Sequence, residues 1–335
     1  MLQLLAVTFF LSGIVTTLLG NVSPAIQKLS YYGKTLTQKT SSSLALPKPW
    51  FIHFYILAAF LGYYSLFIVY DSFSDNHILI DVLGLLDTPI SPSNMFAKGW
   101  TDWMDDLVVQ IDSWKLISSS SVQKPLTTLV LLSLGTVQGT RRLYECIYVM
   151  KYKVKTGASR AAEEKKKAAE TQSKKTTETR SDSQMLLTHY LVGMGFYVAV
   201  FCSLWATGVA AVRDMEEWDF EYNSVGLVAA LLVFFVASIL QYQCHVHLSS
   251  LVKYSLPTFW PFKITVCPHY TCEVVIYLSY IGVALATGSS PNYGLLLAPL
   301  FTLTVLTTSA KNSKEWYKNK FPEYGVRWLT VPGLL

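Results

Sequence analysis

Seven long apolar segments constrain the fold of this chain more than any other feature of its sequence. An α-helix needs roughly 20 predominantly apolar residues to cross a bilayer. The segments lie at 2–20, 51–70, 126–148, 186–212, 225–242, 274–290 and 293–309. Of the 335 residues, 51% are hydrophobic and 15% are charged, a composition outside the range of soluble domains. We therefore predict an all-α integral membrane protein, a bundle of about seven transmembrane helices.

The first apolar segment is interpreted as a retained helix. A cleaved signal peptide is the alternative interpretation of such a segment. No basic residue precedes residues 2–20, and the segment is longer than the apolar part of a signal peptide. We therefore count it as the first span.

Charged residues in the connections predict the orientation of the chain. Residues 21–50 carry four lysines and no acid, residues 71–125 are rich in aspartate, and residues 149–185 are basic. Residues 213–224 are mostly acidic, whereas residues 243–272 and the C-terminal tail are basic again. Because Lys and Arg in short loops favour the cytosolic side, we predict a lumenal N-terminus and a cytosolic C-terminus.

A polar, lysine-rich segment divides the chain into two parts. Residues 155–184 contain no aromatic side chain and no aliphatic side chain larger than alanine, so this segment cannot bury enough surface to offset its ordering entropy. We predict a disordered cytosolic loop at 151–184. It separates residues 1–150, with three helices, from residues 185–335, with four helices. A contact with anionic lipids is an alternative role, but interspersed glutamates weaken it.

Cysteine and histidine residues do not form a convincing metal site. Five cysteines lie in or beside the spans, an odd and scattered set that predicts free thiols. Those at 244, 267 and 272 lie near histidines, but no Cys-x2-Cys spacing is present. His245 and His247 are two residues apart and point away from each other on a helix. We therefore expect no metal.

Four polar clusters lie beside spans on the predicted cytosolic side. They are found at residues 141–145, 241–247, 269–273 and 310–324. Together they offer cations, amides, aromatic rings and a carboxylate, which suit a ligand with phosphates, an aromatic base and hydroxyls. The positive-inside bias explains single lysines and arginines, but it does not explain Glu273 at the start of an apolar segment.

Two stretches near the C-terminus resemble the steroid 5-alpha-reductase family. Residues 254–273, "YSLPTFWPFKITVCPHYTCE", resemble its C-terminal signature, and residues 315–324, "EWYKNKFPEY", resemble its closing motif. Further stretches are similar to the polyprenol reductase branch: "YGKT" (32–35), "LPKPWFIHFY" (46–55), "RRLYECIYV" (141–149) and "QYQCHV" (241–246).

The resemblance implies a seven-helix enzyme of the endoplasmic reticulum membrane. Such an enzyme uses NADPH to reduce the alpha-isoprene double bond of a polyprenyl lipid, on the route to dolichol and protein N-glycosylation. The positions that match the family's cofactor contacts are Gln241, His245, Lys253, Tyr254, His269, Glu273, Lys314 and Tyr317. Lys314 departs from the family, which usually has histidine there. The implied partners are the polyprenyl substrate and membrane lipids, with no nucleic acid and no obligate protein partner.

The catalytic hydrogen-bond donor and the substrate class leave alternatives open. His53, with Tyr55 beside it, and Tyr144 are candidate donors because each lies at the end of a span. Hydride is a nucleophile and needs a conjugated acceptor, so the chemistry favours polyprenal over polyprenol as the immediate substrate. Other members of the superfamily reduce a sterol enone or an enoyl thioester. A non-enzymatic seven-helix receptor or lipid-binding protein would have the same topology.

Overall fold

The computed structural model describes most of the apolar segments and the C-terminal region of the chain. The described residues are 2–20, 22–23, 45–72, 79–81, 83, 124–150, 184–208, 212, 222–251 and 255–334. Lys253, Tyr254, the "YGKT" stretch and the predicted loop up to residue 183 lie outside these ranges.

Seven long helices account for most of the described residues. They are α1 (Leu2–Gly20), α2 (Ile52–Asp71), α3 (Pro125–Tyr144), α4 (Leu187–Trp205), α5 (Ser224–Ser250), α6 (Pro268–Ala286) and α7 (Tyr293–Lys320). A 3-10 turn, Lys48–Phe51, precedes α2, and a π-helical turn, Glu145–Val149, follows α3. A single helical turn, Pro261–Ile264, lies between α5 and α6.

Six of the helices in the described part of the chain, all except α3, are long and apolar enough to cross a membrane. The structure is therefore that of an all-α integral membrane protein. Helix α3 has 20 residues but carries Gln138, Arg141 and Arg142 in its second half, which lowers its hydropathy. It nevertheless packs tightly on α2, because a Cβ at Gly139 would lie 2.9 Å from the backbone carbonyl carbon of Ala58. Small residues permit this close approach of two helices.

A short antiparallel strand pair is an addition that the all-α prediction did not include. Strands β1 (Ala45–Pro47) and β2 (Gln184–Leu186) pair with Leu46 opposite Met185. Because β1 leads into α2 and β2 leads into α4, the pairing brings the first turns of these two helices together. His53 Nδ1 and the Tyr190 hydroxyl lie 3.1 Å apart as a result.

The two ends of the helix bundle are tied by different polar groups. At one end, Thr127 of α3 lies 2.6 Å from the hydroxyls of both Thr287 and Ser289, which follow α6. At the opposite end, residues near the starts of α2 and α6 contact residues near the ends of α3 and α5. Hydrogen bonds between hydroxyls are a common means of joining helices where water is absent. All predicted site residues within the described ranges lie at this second end.

Aromatic side chains fill the centre of the bundle between α1, α4, α6 and α7. The ring of Phe301 lies 5.6 Å from that of Phe10 and 5.5 Å from that of Phe196. Phe196 in turn lies 5.4 Å from the ring of Tyr277, at the edge-to-face angle that aromatic pairs favour. This row of rings connects the wall formed by α1 and α7 to the polar end of α6.

Candidate active site

A fully buried carboxylate lies at the end of α3. Glu145 has no exposed surface and accepts hydrogen bonds from both Arg141 and Arg142. Its Oε2 also lies 2.6 Å from Nδ1 of His245 on α5. Since a buried charge is stable only when it is paired and hydrogen-bonded, these contacts explain how the carboxylate is tolerated there. The π-helical turn that begins at Glu145 is a feature that is often found at functional sites.

Arg141 links Glu145 to a second carboxylate through two amides. Its Nη2 donates to Oε1 of Gln138 at 2.7 Å and also to Oε1 of Gln241. With both amide oxygens facing the guanidinium, both amide nitrogens face Glu273. Nε2 of Gln241 donates to Glu273 Oε2 at 2.5 Å, and Nε2 of Gln138 lies 3.4 Å from Oε1.

Glu273 is a half-buried carboxylate that is surrounded by donors. The hydroxyl of Tyr277, one turn further along α6, donates to its Oε1 at 3.1 Å. Gln241 also donates to the backbone carbonyl of His269 at 3.0 Å, which fixes the first turn of α6 against α5. The resulting polar network consists of Tyr55, Gln138, Arg141, Arg142, Glu145, Gln241, His245, Glu273 and Tyr277.

Tyr55 connects α2 to this polar network. Nη2 of Arg142 donates to the Tyr55 hydroxyl oxygen at 2.5 Å, and the guanidinium carbon lies 4.7 Å from the ring centroid. A phenol oxygen that accepts from a guanidinium must direct its own hydrogen towards a different acceptor. Tyr55 is only 9% exposed, so it is a buried donor at the edge of the network.

The two donors predicted from the sequence lie in different surroundings. His53 is half-buried at the start of α2, with its ring 5.4 Å from that of Trp50 and its Nδ1 next to the Tyr190 hydroxyl. Tyr144 is 49% exposed, and its ring packs against Tyr148 at 4.9 Å. Neither residue has a hydrogen bond to the polar network among the contacts described above.

The remaining predicted cofactor residues lie beside the network or on α7. The ring of His269 lies 5.4 Å from that of His245 and 4.3 Å from that of Tyr270. Tyr317, on α7, packs 5.0 Å from Tyr324 in a small cluster with Val266 and Cys267.

Lys314 fixes the C-terminal tail to α7. Its Nζ donates to the backbone carbonyl of Arg327 at 2.5 Å. Beyond α7, burial raises the pKa of Tyr324 well above its ordinary value, so its hydroxyl stays protonated. Exposed cations lie along this end at Lys311, Lys318, Lys320 and Arg327.

Sequence reasoning did not identify Gln138 and Tyr277 as site residues. Gln138, Arg141 and Glu145 are three and four residues apart and form a polar stripe on one face of a helix, which was the available signal. Tyr277 follows Glu273 by four residues, so it lies on the same helix face.

All five cysteines lie within the described residues and are free thiols, and four of them are buried. Within the ranges that the structure describes, no group of three or more His, Cys, Asp or Glu side chains is arranged to hold a metal ion.

A cavity of about 320 Å³ lies between α1, α4 and α7, at the same end of the bundle. We call it the α1–α7 groove; Gly13, Thr16, Thr17 and Phe301 are among its lining residues. Thr16 and Thr17 donate to the carbonyls one turn earlier in α1, at 2.7 and 2.8 Å. Because these hydroxyls bond their own helix, they are not left as unpaired polar groups in the groove. Phe301 joins this groove, through Phe196 and Tyr277, to Glu273.

Comparison with known proteins gives consistent results. Residues 183–335 match the model of the family described as 3-oxo-5-alpha-steroid 4-dehydrogenase. The chain is 30% identical over 183 residues to a polyprenal reductase of Saccharomyces cerevisiae, an alignment that spans 55% of each chain. It therefore spans about half the length of that relative. It is 24% identical over 327 residues to a polyprenal reductase of Caenorhabditis elegans, covering 92% of this chain and 87% of the relative.

A polyprenal reductase of Danio rerio aligns over a similar length. It is 22% identical over 333 residues, covering 94% of this chain and 89% of the relative. The predicted resemblance is confirmed by these matches, which extend over both parts of the chain. Residues 183–335 of the chain are therefore similar to the steroid 5-alpha-reductase family, and the chain as a whole is similar to polyprenal reductases.

Proposed function

We propose that this chain is an NADPH-dependent reductase of the endoplasmic reticulum membrane that acts on a polyprenyl aldehyde. It would reduce the alpha-isoprene double bond of polyprenal to give dolichal for dolichol synthesis. The names of the relatives support the substrate class. The observation that carries the proposal is the polar network around Glu273, which lies at the same end of the bundle as an apolar groove.

The carboxylate of Glu273, with the donors around it, suits the nicotinamide end of a dinucleotide. A carboxylate accepts from amide or hydroxyl donors, and the half-buried Glu273 is already oriented by Gln138, Gln241 and Tyr277. Exposed lysines on α7 and Arg327 would attract the phosphates. Gln241, His245, Lys253, Tyr254, His269, Lys314 and Tyr317 complete the set that we propose for the cofactor. Bound NADPH would supply a hydride at this site.

The chemistry of hydride addition favours the aldehyde. The double bond that receives a hydride must be conjugated to a group that holds the developing negative charge. Polyprenol offers only a hydroxymethyl group, whereas polyprenal offers a conjugated carbonyl and an electrophilic beta carbon. A hydrogen-bond donor to the carbonyl oxygen would stabilise the enolate before the alpha carbon is protonated.

Three donors are available for this role at the polar end of α2 and α3. His53 and Tyr144 are the donors expected from the sequence. We add Tyr55, because its hydroxyl lies at the edge of the polar network, where Arg142 holds its oxygen in place. Tyr55 is also buried, and a donor in a water-excluded site stabilises developing charge more strongly than an exposed one. Such a donor contributes about 3 to 4 kcal/mol to the barrier reduction.

The α1–α7 groove suits the isoprenoid chain of the substrate. The hydroxyls of Thr16, Thr17, Thr308 and Ser309 in its lining are hydrogen-bonded to their own helices, so most of its surface is compatible with hydrocarbon. The row of rings from Phe301 to Tyr277 ends at Glu273, which relates the groove to the reacting end of the lipid. We propose that the lipid enters sideways from the bilayer.

The proposed topology has seven spans, with α3 as the third. Helix α3 has the length of a span, and both arginines in its second half are paired with Glu145 within the bundle. The N-terminus would be lumenal and the C-terminus cytosolic, following the distribution of lysine and arginine. NADPH would then approach from the cytosol.

Purified protein in lipid nanodiscs tests the function directly. The expected result is conversion of polyprenal to dolichal by NADPH, measured by mass spectrometry of the lipid product. Asp81→Asn, which removes an exposed carboxylate away from the network, serves as the matched control for charge removal and should retain full activity. If the protein in well-folded form neither binds NADPH nor reduces polyprenal, it is not this enzyme, and a receptor or lipid-binding role is favoured.

A further inference from the structure

One histidine holds the connection between α5 and α6 against the end of α5. His247 lies in the last turn of α5, and its Nε2 accepts the backbone N–H groups of Thr258 at 3.1 Å and Phe259 at 3.2 Å. A ring nitrogen accepts only when it carries no proton, so this arrangement requires a neutral imidazole with its hydrogen on Nδ1. Two hydrogen bonds therefore converge on one side-chain atom.

Ring packing continues from this histidine to the polar network. The ring of His247 lies 5.7 Å from that of Phe259 and 5.9 Å from that of Phe262. Phe262 is only 4% exposed, and its ring lies 6.0 Å from that of His269. Because His269 also accepts from Gln241 through its backbone carbonyl, a displacement of the connection would disturb the environment of Glu273.

The far end of the same connection is fixed independently. The N–H of Val266 donates to the carbonyl of Trp328 at 2.9 Å, and that of Cys267 donates to Leu329 at 3.2 Å. The C-terminal tail therefore holds the residues just before α6. His247 provides the corresponding attachment at the α5 side, so the two contacts together bracket the connection.

We propose that His247 is a positioning residue for cofactor binding, acting through the α5–α6 connection and not through contact with the cofactor. This connection leads from α5 to the start of α6, where the predicted cofactor residues His269 and Glu273 lie. Fixing the chain at Thr258 and Phe259 holds Phe262 against the ring of His269 before the cofactor binds. This inference rests on the proposed function, because it assumes NADPH as the ligand.

Three variants distinguish the effect of the two His247 hydrogen bonds from the effect of the size of its side chain. His247→Leu removes the acceptor, whereas His247→Gln retains an amide oxygen at a similar distance from the backbone. Ser249→Ala is the control, since Ser249 is exposed and its hydroxyl bonds the Val246 carbonyl of its own helix. Loss of the two hydrogen bonds should raise the KM for NADPH about tenfold. The kcat should change by less than about twofold, because no transition-state contact is lost.

Hydrogen exchange of the purified protein measures the contact of His247 with Thr258 and Phe259 without any substrate. In His247→Leu, the amides of Thr258 and Phe259 should exchange faster, while His247→Gln should restore both their protection and a KM within about threefold of the unmodified protein. Unchanged exchange in His247→Leu would show that the contact does not hold the connection. Faster exchange with an unchanged KM would refute the positioning role. If the unmodified protein shows no NADPH-dependent activity, the proposed function is wrong and so is the positioning role. The exchange data would still show whether His247 holds the connection in place.

Discussion

Replacement of Glu273 by glutamine tests the cofactor role of the polar network. The carboxylate accepts from Gln241 on Oε2 and from Tyr277 and Gln138 on Oε1. Glutamine keeps the shape but turns one of these two oxygens into an NH2 group that faces a donor. A hydrogen bond to a charged group contributes about 1.5 to 3 kcal/mol and a neutral one about 1 kcal/mol, so each bond to a ligand loses roughly 0.5 to 2 kcal/mol.

This loss corresponds to a decrease of about two- to thirtyfold in affinity for NADPH. Folding should be affected much less, because Glu273 is only half-buried and Arg141 keeps its pairing with Glu145. The assay is a titration of purified Glu273→Gln with NADPH, by calorimetry and by the KM, next to a thermal unfolding scan. Asp81→Asn should match the unmodified protein in both measurements. An unchanged affinity in a Glu273→Gln protein of normal thermal stability would refute the cofactor role of Glu273.

Two further substitutions test the substrate side of the site. Tyr55→Phe removes the proposed oxyanion donor and should lower kcat about 10²- to 10³-fold with little change in the KM for NADPH. An unchanged kcat in steady-state assays would exclude Tyr55 as the donor. Tyr64→Phe is the control, because Tyr64 is an exposed tyrosine of the same helix. Thr17→Trp fills the α1–α7 groove and should raise the KM for long-chain polyprenal more than for a short-chain analogue. Equal effects on both chain lengths would contradict lipid binding there, and Leu18→Trp, at an exposed neighbouring position, should affect neither.

Hydropathy predicted where the helices lie but not how far they extend. The segment predicted at 225–242 belongs to a helix that continues to Ser250, and the one predicted at 274–290 begins earlier, at Pro268. Apolar runs mark the part of a helix that lies in hydrocarbon. Polar turns beyond it remain helical because they pack on other parts of the protein, as the contact of Gln241 with His269 illustrates.

Long-range partners in the site were not accessible from local sequence patterns. Gln138 and Glu273 are 135 residues apart, and nothing in the spacing of either segment indicates that α3 faces α6. The polar clusters themselves were recognisable from the sequence. Charged side chains beside apolar helices cost free energy in a membrane, so their presence indicates a functional site. The pairing of β1 with β2 also escaped prediction, because strands of three residues are too short to show a period.

The most direct test of the whole proposal compares two oxidation states of one lipid. Purified protein with NADPH is given polyprenal or polyprenol of the same chain length, with no dehydrogenase present, and the reduced lipid is measured by mass spectrometry. Hydride addition requires conjugation with a carbonyl, so polyprenal should be converted to dolichal while polyprenol remains unchanged. Rapid conversion of polyprenol, with no turnover of polyprenal, would contradict the mechanism.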